Sequence, residues 1–150
     1  MPALSYFYKA NGCSIWRCSQ CMSGVFGKRV TEDEIMVQDI GKTANSSNQI
    51  IHNSRVIIYD ARPYLNAQAN KIKKGGFEDV RHYRNSELIF CEIDNIHKVT
   101  SVFKALQDLP LNPEIFDSSK EYGERVESSG YFKLINRILN ATNNVVDSLM

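Results

Sequence analysis

Apolar runs alternate with polar, turn-forming segments along this chain, and the first two runs predict a β-hairpin. Leu4–Tyr8 and Cys13–Cys18 are short apolar runs. An Asn-Gly dipeptide at positions 11–12 lies between them, and this dipeptide is typical of a tight turn between antiparallel strands. Further along, Arg55–Tyr59 and Leu88–Ile93 are rich in apolar and β-branched residues, and they predict two buried strands.

Two helices are predicted in the first half of the chain. Thr31 followed by Glu34 is a capping-box pattern, so a helix is predicted to begin at Thr31 and to end near Gly41. A second helix is predicted over Tyr64–Ile72, where good helix formers follow a proline. It is predicted to end in the segment 73–76, because glycine is the usual exit from a helix. Its apolar residues fall on one face: Leu65, Ala69 and Ile72.

Two more helices are predicted in the second half of the chain. Apolar residues recur at helical spacing over Ile96–Leu109, and Asn95 stands where it could cap this helix. Leu111–Tyr122 is predicted to be a connection, and a last helix carries the apolar residues from Tyr131 onward. Thr43–Asn53 is rich in Asn and Ser and predicts a flexible segment. Strands that alternate with helices indicate the α/β class.

Composition and charge indicate one ordinary globular domain over residues 1–150. Of its residues, 43% are hydrophobic, and 18 Lys plus Arg nearly balance 17 Asp plus Glu. A net charge of +1 argues neither for nucleic acid nor for a membrane surface, so any electrostatic recognition must be local and no nucleic-acid partner is expected. No apolar run approaches the roughly 20 residues that span a bilayer, and the N-terminus lacks the pattern of a signal peptide. A cytoplasmic, reducing compartment is expected.

The cysteines form no complete metal or catalytic pattern. Cys18 and Cys21 have the spacing of a zinc knuckle or a redox pair, but no second ligand pair follows at matching spacing. Reduced, packed thiols are the favoured interpretation, and a small zinc-binding interaction domain is the alternative. A cysteine-phosphatase loop needs arginine six residues after its cysteine, and none of the four cysteines meets this requirement. The residues at those positions are Ser19, Gly24, Gly27 and His97. We therefore expect neither a catalytic residue nor a metal site.

No glycine-rich nucleotide loop of the GxxxxGK[ST] or GxGxxG type occurs, so no cofactor is expected. Polar residues after the predicted strands are the better candidates for a site, because ligand contacts collect there in α/β proteins. Asp60 and Arg62 could orient a substrate or form an internal ion pair, and the internal pair is favoured. The amides of Asn66, Asn70 and Asn95 suit sugar or inositol hydroxyls, yet on residue types alone turn formation and helix capping are the favoured interpretation.

Residues 71–84 carry a local excess of positive charge in an otherwise neutral chain. The cations are Lys71, Lys73, Lys74, Arg81 and Arg84, and the opposing anions are Glu78 and Asp79. A solvated loop is the simpler interpretation. An anionic headgroup or phosphate partner is the alternative, because clustered Lys and Arg recognise such groups.

Several blocks of this sequence closely resemble the myotubularins, a family of phosphoinositide 3-phosphatases within the cysteine-phosphatase superfamily. The matching blocks are Pro2–Tyr6, Arg17–Gln20 with Gly24, Asp60–Pro63, Asn66-Ala67, Ala69–Lys71, Gly75-Gly76, Glu78, Tyr83, Asn85–Leu88 and Asn95–His97. Two positions depart from the family pattern. Cys21 stands where the family usually has proline, and Lys74 stands where it often has a third glycine.

The resemblance implies a partial cysteine-phosphatase (PTP-like) α/β fold, with a central sheet flanked by helices. It implies that Asn70, Asn95 and Ile96 contact the phosphoinositide headgroup. The family removes the 3-phosphate of phosphatidylinositol 3-phosphate and of the 3,5-bisphosphate, using a cysteine, an arginine and an aspartate in a loop after the last helix and its next strand. That loop and strand are not found in these residues, so a fragment that is inactive by itself is expected, spanning the N-terminal part of the phosphatase domain.

Two functional hypotheses follow from the resemblance. The first is a piece of an active lipid 3-phosphatase, and the alternative is a non-catalytic (pseudophosphatase) member that binds or scaffolds an active partner. In either case the expected partners are a phosphoinositide headgroup, peripheral contact with endosomal-type membranes, and homo- or hetero-oligomerisation with other myotubularins. The expected location is therefore cytoplasmic, peripheral to those membranes.

Overall fold

A computed structural model describes residues 2–23, 26–43, 55–109 and 119–150, and in these residues it shows a mixed α/β chain with small sheets and five helices. The elements in chain order are β1 (Ala3–Tyr8), β2 (Cys13–Arg17), α1 (Thr31–Thr43), β3 (Val56–Asp60), α2 (Tyr64–Ile72), β4 (Ser86–Phe90), α3 (Ile96–Gln107), α4 (Ser119–Ser128) and α5 (Tyr131–Asp147). None of these helices is long and apolar enough to cross a bilayer.

The predicted β-hairpin is confirmed. β1 and β2 pair antiparallel, and the register shifts between Leu4 and Tyr6, which marks a bulge. In the turn, Gly12 has a φ of 77° and donates its backbone N–H to Tyr8 O at 2.9 Å. Glycine suits this left-handed position because it has no Cβ to clash with the backbone. Trp16 is half-buried in β2 and donates its indole N–H to Ser14 Oγ at 2.9 Å.

Helix α1 is present, but the predicted capping box at its start is wrong. The helix already includes Thr31, and the backbone N–H of Glu34 donates to Val30 O at 3.1 Å rather than to a threonine hydroxyl. The carboxylate of Glu34 is buried and accepts from Arg29 Nε at 2.9 Å. Arginine outcompetes the backbone for this carboxylate because the bond joins two opposite charges.

Strands β3 and β4 pair in parallel, with α2 as the connection between them. The register runs from Val56 opposite Ser86 to Asp60 opposite Phe90. Both predicted strands are confirmed, although β4 begins and ends earlier than predicted. The regular ladder ends at Phe90, shortly before Glu92, which has a left-handed φ of 55°. The described residues contain two two-stranded sheets.

Helix α2 has the predicted bounds, but its predicted apolar face does not face the core. Ala67 is the fully buried residue of the helix, whereas Leu65 is 74% exposed and Ile72 is 79% exposed. At the end of the helix, Gly75 N donates to Asn70 O at 3.0 Å and Lys74 N donates to Lys71 O at 3.1 Å. This is the Schellman pattern, and its left-handed position is occupied by Lys74, with a φ of 65°.

The last three helices form a group with its own small core. α3 contributes the buried Val102 and α5 the buried Leu134, while Gly130 turns the chain from α4 into α5 with a φ of 80°. The connection predicted over Leu111–Tyr122 lies outside the described residues up to position 118, and from Ser119 onward it is helical. The flexible segment predicted at 43–53 also lies outside them, except for Thr43, the last residue of α1.

Candidate functional site

The backbone beyond β3 and β4 keeps the two strand ends together. Cys91 N donates to Asp60 O at 2.8 Å, and Ile93 N donates to Ala61 O at 2.9 Å. Tyr64 N, at the start of α2, donates to Glu92 Oε1 at 3.1 Å. The loop that leads into α3 is therefore held against the carboxyl end of the parallel pair, the edge where α/β proteins bind ligands.

Asn95 is the N-cap of α3, as predicted. Its Oδ1 accepts from His97 N at 3.0 Å and from Lys98 N at 3.1 Å, and the residue is exposed. Both acceptor positions of the amide oxygen are engaged by the helix. Among the described residues, the Nδ2 donors of Asn95 are not hydrogen-bonded to a protein acceptor, so they are the part of the side chain that a ligand could reach.

Ile96 is the first residue of α3, and its side chain is 74% exposed. The first backbone N–H groups of a helix have no acceptor within the helix, and the helix dipole places partial positive charge there. The structure thus brings Asn95 and Ile96 together at a helix N-terminus. Because His97 N and Lys98 N already donate to Asn95 Oδ1, the N–H of Ile96 is the terminal donor that a phosphate or another anion could meet.

Asn70 lies on a different element, in the last turn of α2, and is half-buried. Its backbone carbonyl accepts from Lys73 N and from Gly75 N, each at 3.0 Å. Along the helix axis it lies about 9 Å from Tyr64, which contacts the loop preceding α3. Asn70 is thus carried by a different element from Asn95 and Ile96, and its contact with a headgroup stays a prediction.

Asp60 and Arg62 form the internal ion pair that the sequence favoured. Arg62 Nε donates to Asp60 Oδ1 at 2.8 Å, and its backbone N donates to the same oxygen at 3.0 Å. The guanidinium also donates to Gly76 O at 2.8 Å and to Gln20 Oε1. Gln20 and Gly76 were not predicted as its partners, because neither is close to Arg62 in the sequence.

The cysteine thiols near this cluster are not suited to act as nucleophiles. Burial raises the pKa of the Cys18 thiol and of the Cys21 thiol, and the nearby carboxylate of Glu78 raises both further. A raised pKa keeps a thiol protonated at neutral pH, whereas the thiolate is the reactive form. Across residues 2–23, 26–43, 55–109 and 119–150, no three His, Cys, Asp or Glu side chains cluster to hold a metal ion.

The basic segment 71–84 is partly neutralised by contacts of its own. Arg81 Nε donates to Asp79 Oδ1 at 2.9 Å, and Lys71 Nζ lies 3.9 Å from the centre of the Phe77 ring. A groove of about 940 Å³ runs beside this segment and past the amino end of β4. It lies at the opposite end of the parallel pair from Asn95, and it mixes cations with carboxylates.

A contact from α5 also reaches the loop that carries Asn95. Arg137 Nη1 donates to Asp94 Oδ2 at 3.0 Å. Asp94 immediately precedes the capping residue, so the last helix is tied to the start of α3. This pair carried no signal in the sequence, because neither residue stands in a recognisable motif and the two are far apart along the chain.

Comparison with known proteins agrees with this architecture. Residues 1–150 match the family described as the myotubularin-like phosphatase domain. The chain is 35% identical to myotubularin of Xenopus laevis over 149 residues, which cover 99% of this chain and 23% of that protein. It is 42% identical over 109 residues to phosphatidylinositol-3,5-bisphosphate 3-phosphatase MTMR2 of Gallus gallus, covering 73% of this chain and 18% of that protein.

A nematode relative extends the comparison. The chain is 30% identical over 149 residues to phosphatidylinositol-3,5-bisphosphate 3-phosphatase MTMR6 of Caenorhabditis elegans, covering 99% of this chain and 21% of that protein. The chain thus spans less than a quarter of the length of these relatives. On the match over its whole length, the chain belongs to the myotubularin family.

Proposed function

We propose that this chain forms the headgroup-holding part of a phosphoinositide 3-phosphatase. Two of its relatives are named phosphatidylinositol-3,5-bisphosphate 3-phosphatases. The proposed substrates are phosphatidylinositol 3-phosphate and the 3,5-bisphosphate. The proposal includes a PTP-like fold, in which the parallel β3–β4 pair belongs to a larger central sheet flanked by helices.

The start of α3 is the observation that carries this proposal. Asn95 caps the helix with its oxygen and keeps its amide donors for a ligand, and Ile96 contributes a backbone N–H at the same helix terminus. Phosphate oxygens accept hydrogen bonds and carry negative charge, so both the donors and the helix dipole favour them. The exposed side chain of Ile96 offers an apolar surface beside these donors.

Asn70 supplies the second wall of the proposed headgroup site. An amide both donates and accepts hydrogen bonds, so it can pair with an inositol hydroxyl, which does the same. The carbonyl of Asn70 holds the turn after α2, which limits how far this residue can move. Its side chain is half-buried, and this restricts its rotamers further.

The part of the reaction assigned to these residues is binding and orientation. No cysteine in the 150 residues has arginine six positions later, and the raised pKa of the Cys18 and Cys21 thiols disfavours the reactive thiolate. We therefore expect the 150-residue chain to bind a 3-phosphoinositide headgroup and to release no phosphate from it. Because such substrates are lipids, a cytoplasmic location at a membrane surface is part of the proposal.

The test uses Asn95→Asp, which separates capping from ligand binding. Aspartate caps helices about as well as asparagine, so α3 stays intact, but the amide donors become a carboxylate that repels phosphate. Affinity of the chain for a water-soluble, short-chain phosphatidylinositol 3,5-bisphosphate is measured by NMR titration. We expect at least a tenfold loss in the Asn95→Asp variant, with an unchanged melting temperature.

The matched control is Asn85→Asp, because Asn85 is an exposed asparagine at the opposite end of the parallel pair. We expect its affinity to stay within twofold of the parent chain. A parent chain that does not bind the lipid, or an Asn95→Asp variant that binds as well as the parent, would overturn the proposal. Inorganic phosphate, titrated separately, shows whether the inositol ring contributes.

A further inference from the structure

The guanidinium of Arg62 connects three segments that are separate in the sequence. It pairs with Asp60 at the end of β3, donates to Gly76 O at 2.8 Å beyond the end of α2, and donates to Gln20 in the loop after β2. Its side chain is 26% exposed and that of Asp60 is 10% exposed, so the pair is largely shielded from water. Shielding strengthens such bonds and makes the loss of one partner costly.

Each of these connections leads to one of the headgroup residues. The backbone of Asp60 and Ala61 accepts from Cys91 N and Ile93 N, which begin the loop to Asn95. The backbone N of Arg62 donates to Asp60 Oδ1 at 3.0 Å and fixes the conformation of this turn. The position of the Asn95 loop therefore depends on the turn that Arg62 closes.

The second connection leads to Asn70. Gly76 follows the turn that the Asn70 carbonyl closes, and its own carbonyl is held by Arg62. A Cβ added at Gly75 would lie 2.7 Å from Gln20 Nε2, so the Gln20 side chain packs directly against this turn. Arg62 thus holds the exit of α2 both directly and through Gln20.

We propose that Arg62 is a positioning residue that holds Asn70 and Asn95 at a fixed separation, an inference that rests on the proposed headgroup site. Arg62 itself does not touch the ligand, because its donors are turned inward to Asp60, Gly76 and Gln20. Arginine is needed because its planar guanidinium group carries several N–H donors at fixed angles and can bond to several acceptors at once. A lysine at this position keeps the charge and one contact but cannot bridge all three segments.

The chain provides a matched control for this residue. Asp79 and Arg81 have the same Asp-x-Arg spacing and the same local geometry, with Arg81 N to Asp79 Oδ1 at 3.1 Å and Nε to Oδ1 at 2.9 Å. The Arg81 side chain is 81% exposed, and within the described residues its hydrogen bonds go to Asp79 alone. Arg81→Lys therefore makes the same change to an equivalent local pair without disconnecting any segment.

The first measurement is amide hydrogen exchange in the 150-residue chain without ligand. In Arg62→Lys we expect exchange at Gly75 and at Ile93 to accelerate at least tenfold together, because both loops lose the same anchor. Arg81→Lys should leave both rates within twofold of the parent. Unchanged exchange at both amides in Arg62→Lys would overturn the inference.

The second measurement is a double-mutant cycle on affinity for the short-chain 3,5-bisphosphate. We expect Arg62→Lys to weaken binding at least tenfold, and Asn70→Ala to cost several-fold less in the Arg62→Lys background than in the parent. A residue that only stabilises the fold would leave the cost of Asn70→Ala unchanged in the folded protein. Additive effects, or equal binding by the parent and Arg62→Lys, would overturn the inference.

If Arg62→Lys does not fold, the milder Gln20→Ala removes only one connection. It should accelerate exchange at Gly75 at least fivefold and leave Ile93 unchanged, because the Asp60–Arg62 pair remains. Equal rates at Gly75 in Gln20→Ala and in the parent would then count against the inference. Failure of the parent chain to bind the lipid overturns the proposed function instead, and the exchange rates still decide whether Arg62 holds the two loops.

Discussion

The hydroxyl of Tyr59 donates to the backbone carbonyl of Asn144 at 2.9 Å and lies 2.7 Å from Ser148 Oγ. Through this contact β3 holds the last turn of α5, although the two residues are 85 positions apart. The same carbonyl also accepts from Ser148 N at 3.2 Å and from Ser148 Oγ at 2.8 Å, so the tyrosine hydroxyl joins a hydrogen-bond cluster at the end of the helix. The last helix is thereby attached to the same strand that ends at Asp60.

Replacing Tyr59 with phenylalanine should lower the free energy of unfolding by about 1 kcal/mol, the usual net value of one hydrogen bond. Urea denaturation followed by circular dichroism measures the change. Tyr6→Phe is the control, since Tyr6 is 50% exposed on β1, and its effect should stay within about 0.5 kcal/mol. Equal effects of the two variants would contradict a specific role for the Tyr59 hydroxyl.

Replacing Lys74 with glycine should stabilise the chain by about 1 kcal/mol. Lys74 has a φ of 65°, a left-handed conformation that costs a residue with a Cβ about that amount and costs glycine little. Thermal unfolding should show a melting temperature higher by about 2–4 °C.

Lys73→Gly provides the opposite case one residue earlier. Lys73 has a φ of −90°, where glycine gains nothing and only adds entropy to the unfolded chain. We expect this variant to lose up to about 1 kcal/mol of stability. Two changes of the same sign would show that charge removal, rather than backbone conformation, explains the effect of Lys74→Gly.

Glu78 should make the folded state more stable as the pH falls. Burial raises the pKa of its carboxyl group above the ordinary value of 4.5, the nearby Asp60 carboxylate raises it further, and Arg62 opposes the rise. The folded state therefore binds the proton at a higher pH than the unfolded state does. Stability from this group increases as pH falls through the raised folded pKa, and the gain is complete below 4.5.

Glu78→Gln removes this dependence, because glutamine is neutral at every pH. The variant should be more stable than the parent at pH 7, and the difference should shrink as the pH approaches 4.5. Denaturation midpoints measured between pH 4 and pH 8 provide the comparison, at roughly one-unit steps. Parallel stability curves for the two proteins would be inconsistent with the raised pKa.

Breaking the Arg137–Asp94 pair should have a small effect. Both side chains are about one-third exposed, and a pair in such a setting contributes roughly 0.5 kcal/mol. A double-mutant cycle with Arg137→Gln and Asp94→Asn should give a coupling energy of this size, and salt should reduce it. A coupling near zero at low salt would mean that the contact does not stabilise the chain.

The sequence predicted those parts of the fold that depend on local signals. The Asn-Gly turn identified the hairpin, and the proline before Tyr64 marked the start of α2. Asn95 could be predicted as a cap because capping is a local interaction: its side chain bonds to N–H groups only two and three residues further along the chain. Helix α4 was not predicted, because its sequence is mostly polar and has no apolar stripe.

The features that depend on distant partners could not be predicted. The buried face of α2 is set by what packs against it, and the buried residue is the small Ala67 rather than the larger Leu65. At α1, the nearby Arg29 determined the role of Glu34. For the candidate site, the family resemblance implied Asn70, Asn95 and Ile96, while the links from Arg62 to Gly76 and Gln20 required the three-dimensional structure.

The parallel pairing of β3 with β4 has a consequence for the order of folding. The hairpin joins neighbouring residues and can form in roughly 1–10 μs, whereas Val56 meets Ser86 only after α2 has folded back. Pairing between residues distant in sequence is intrinsically slower, because a large loop must close first. The proposed headgroup surface is therefore assembled late, and ligand added during refolding should slow unfolding more than it speeds folding.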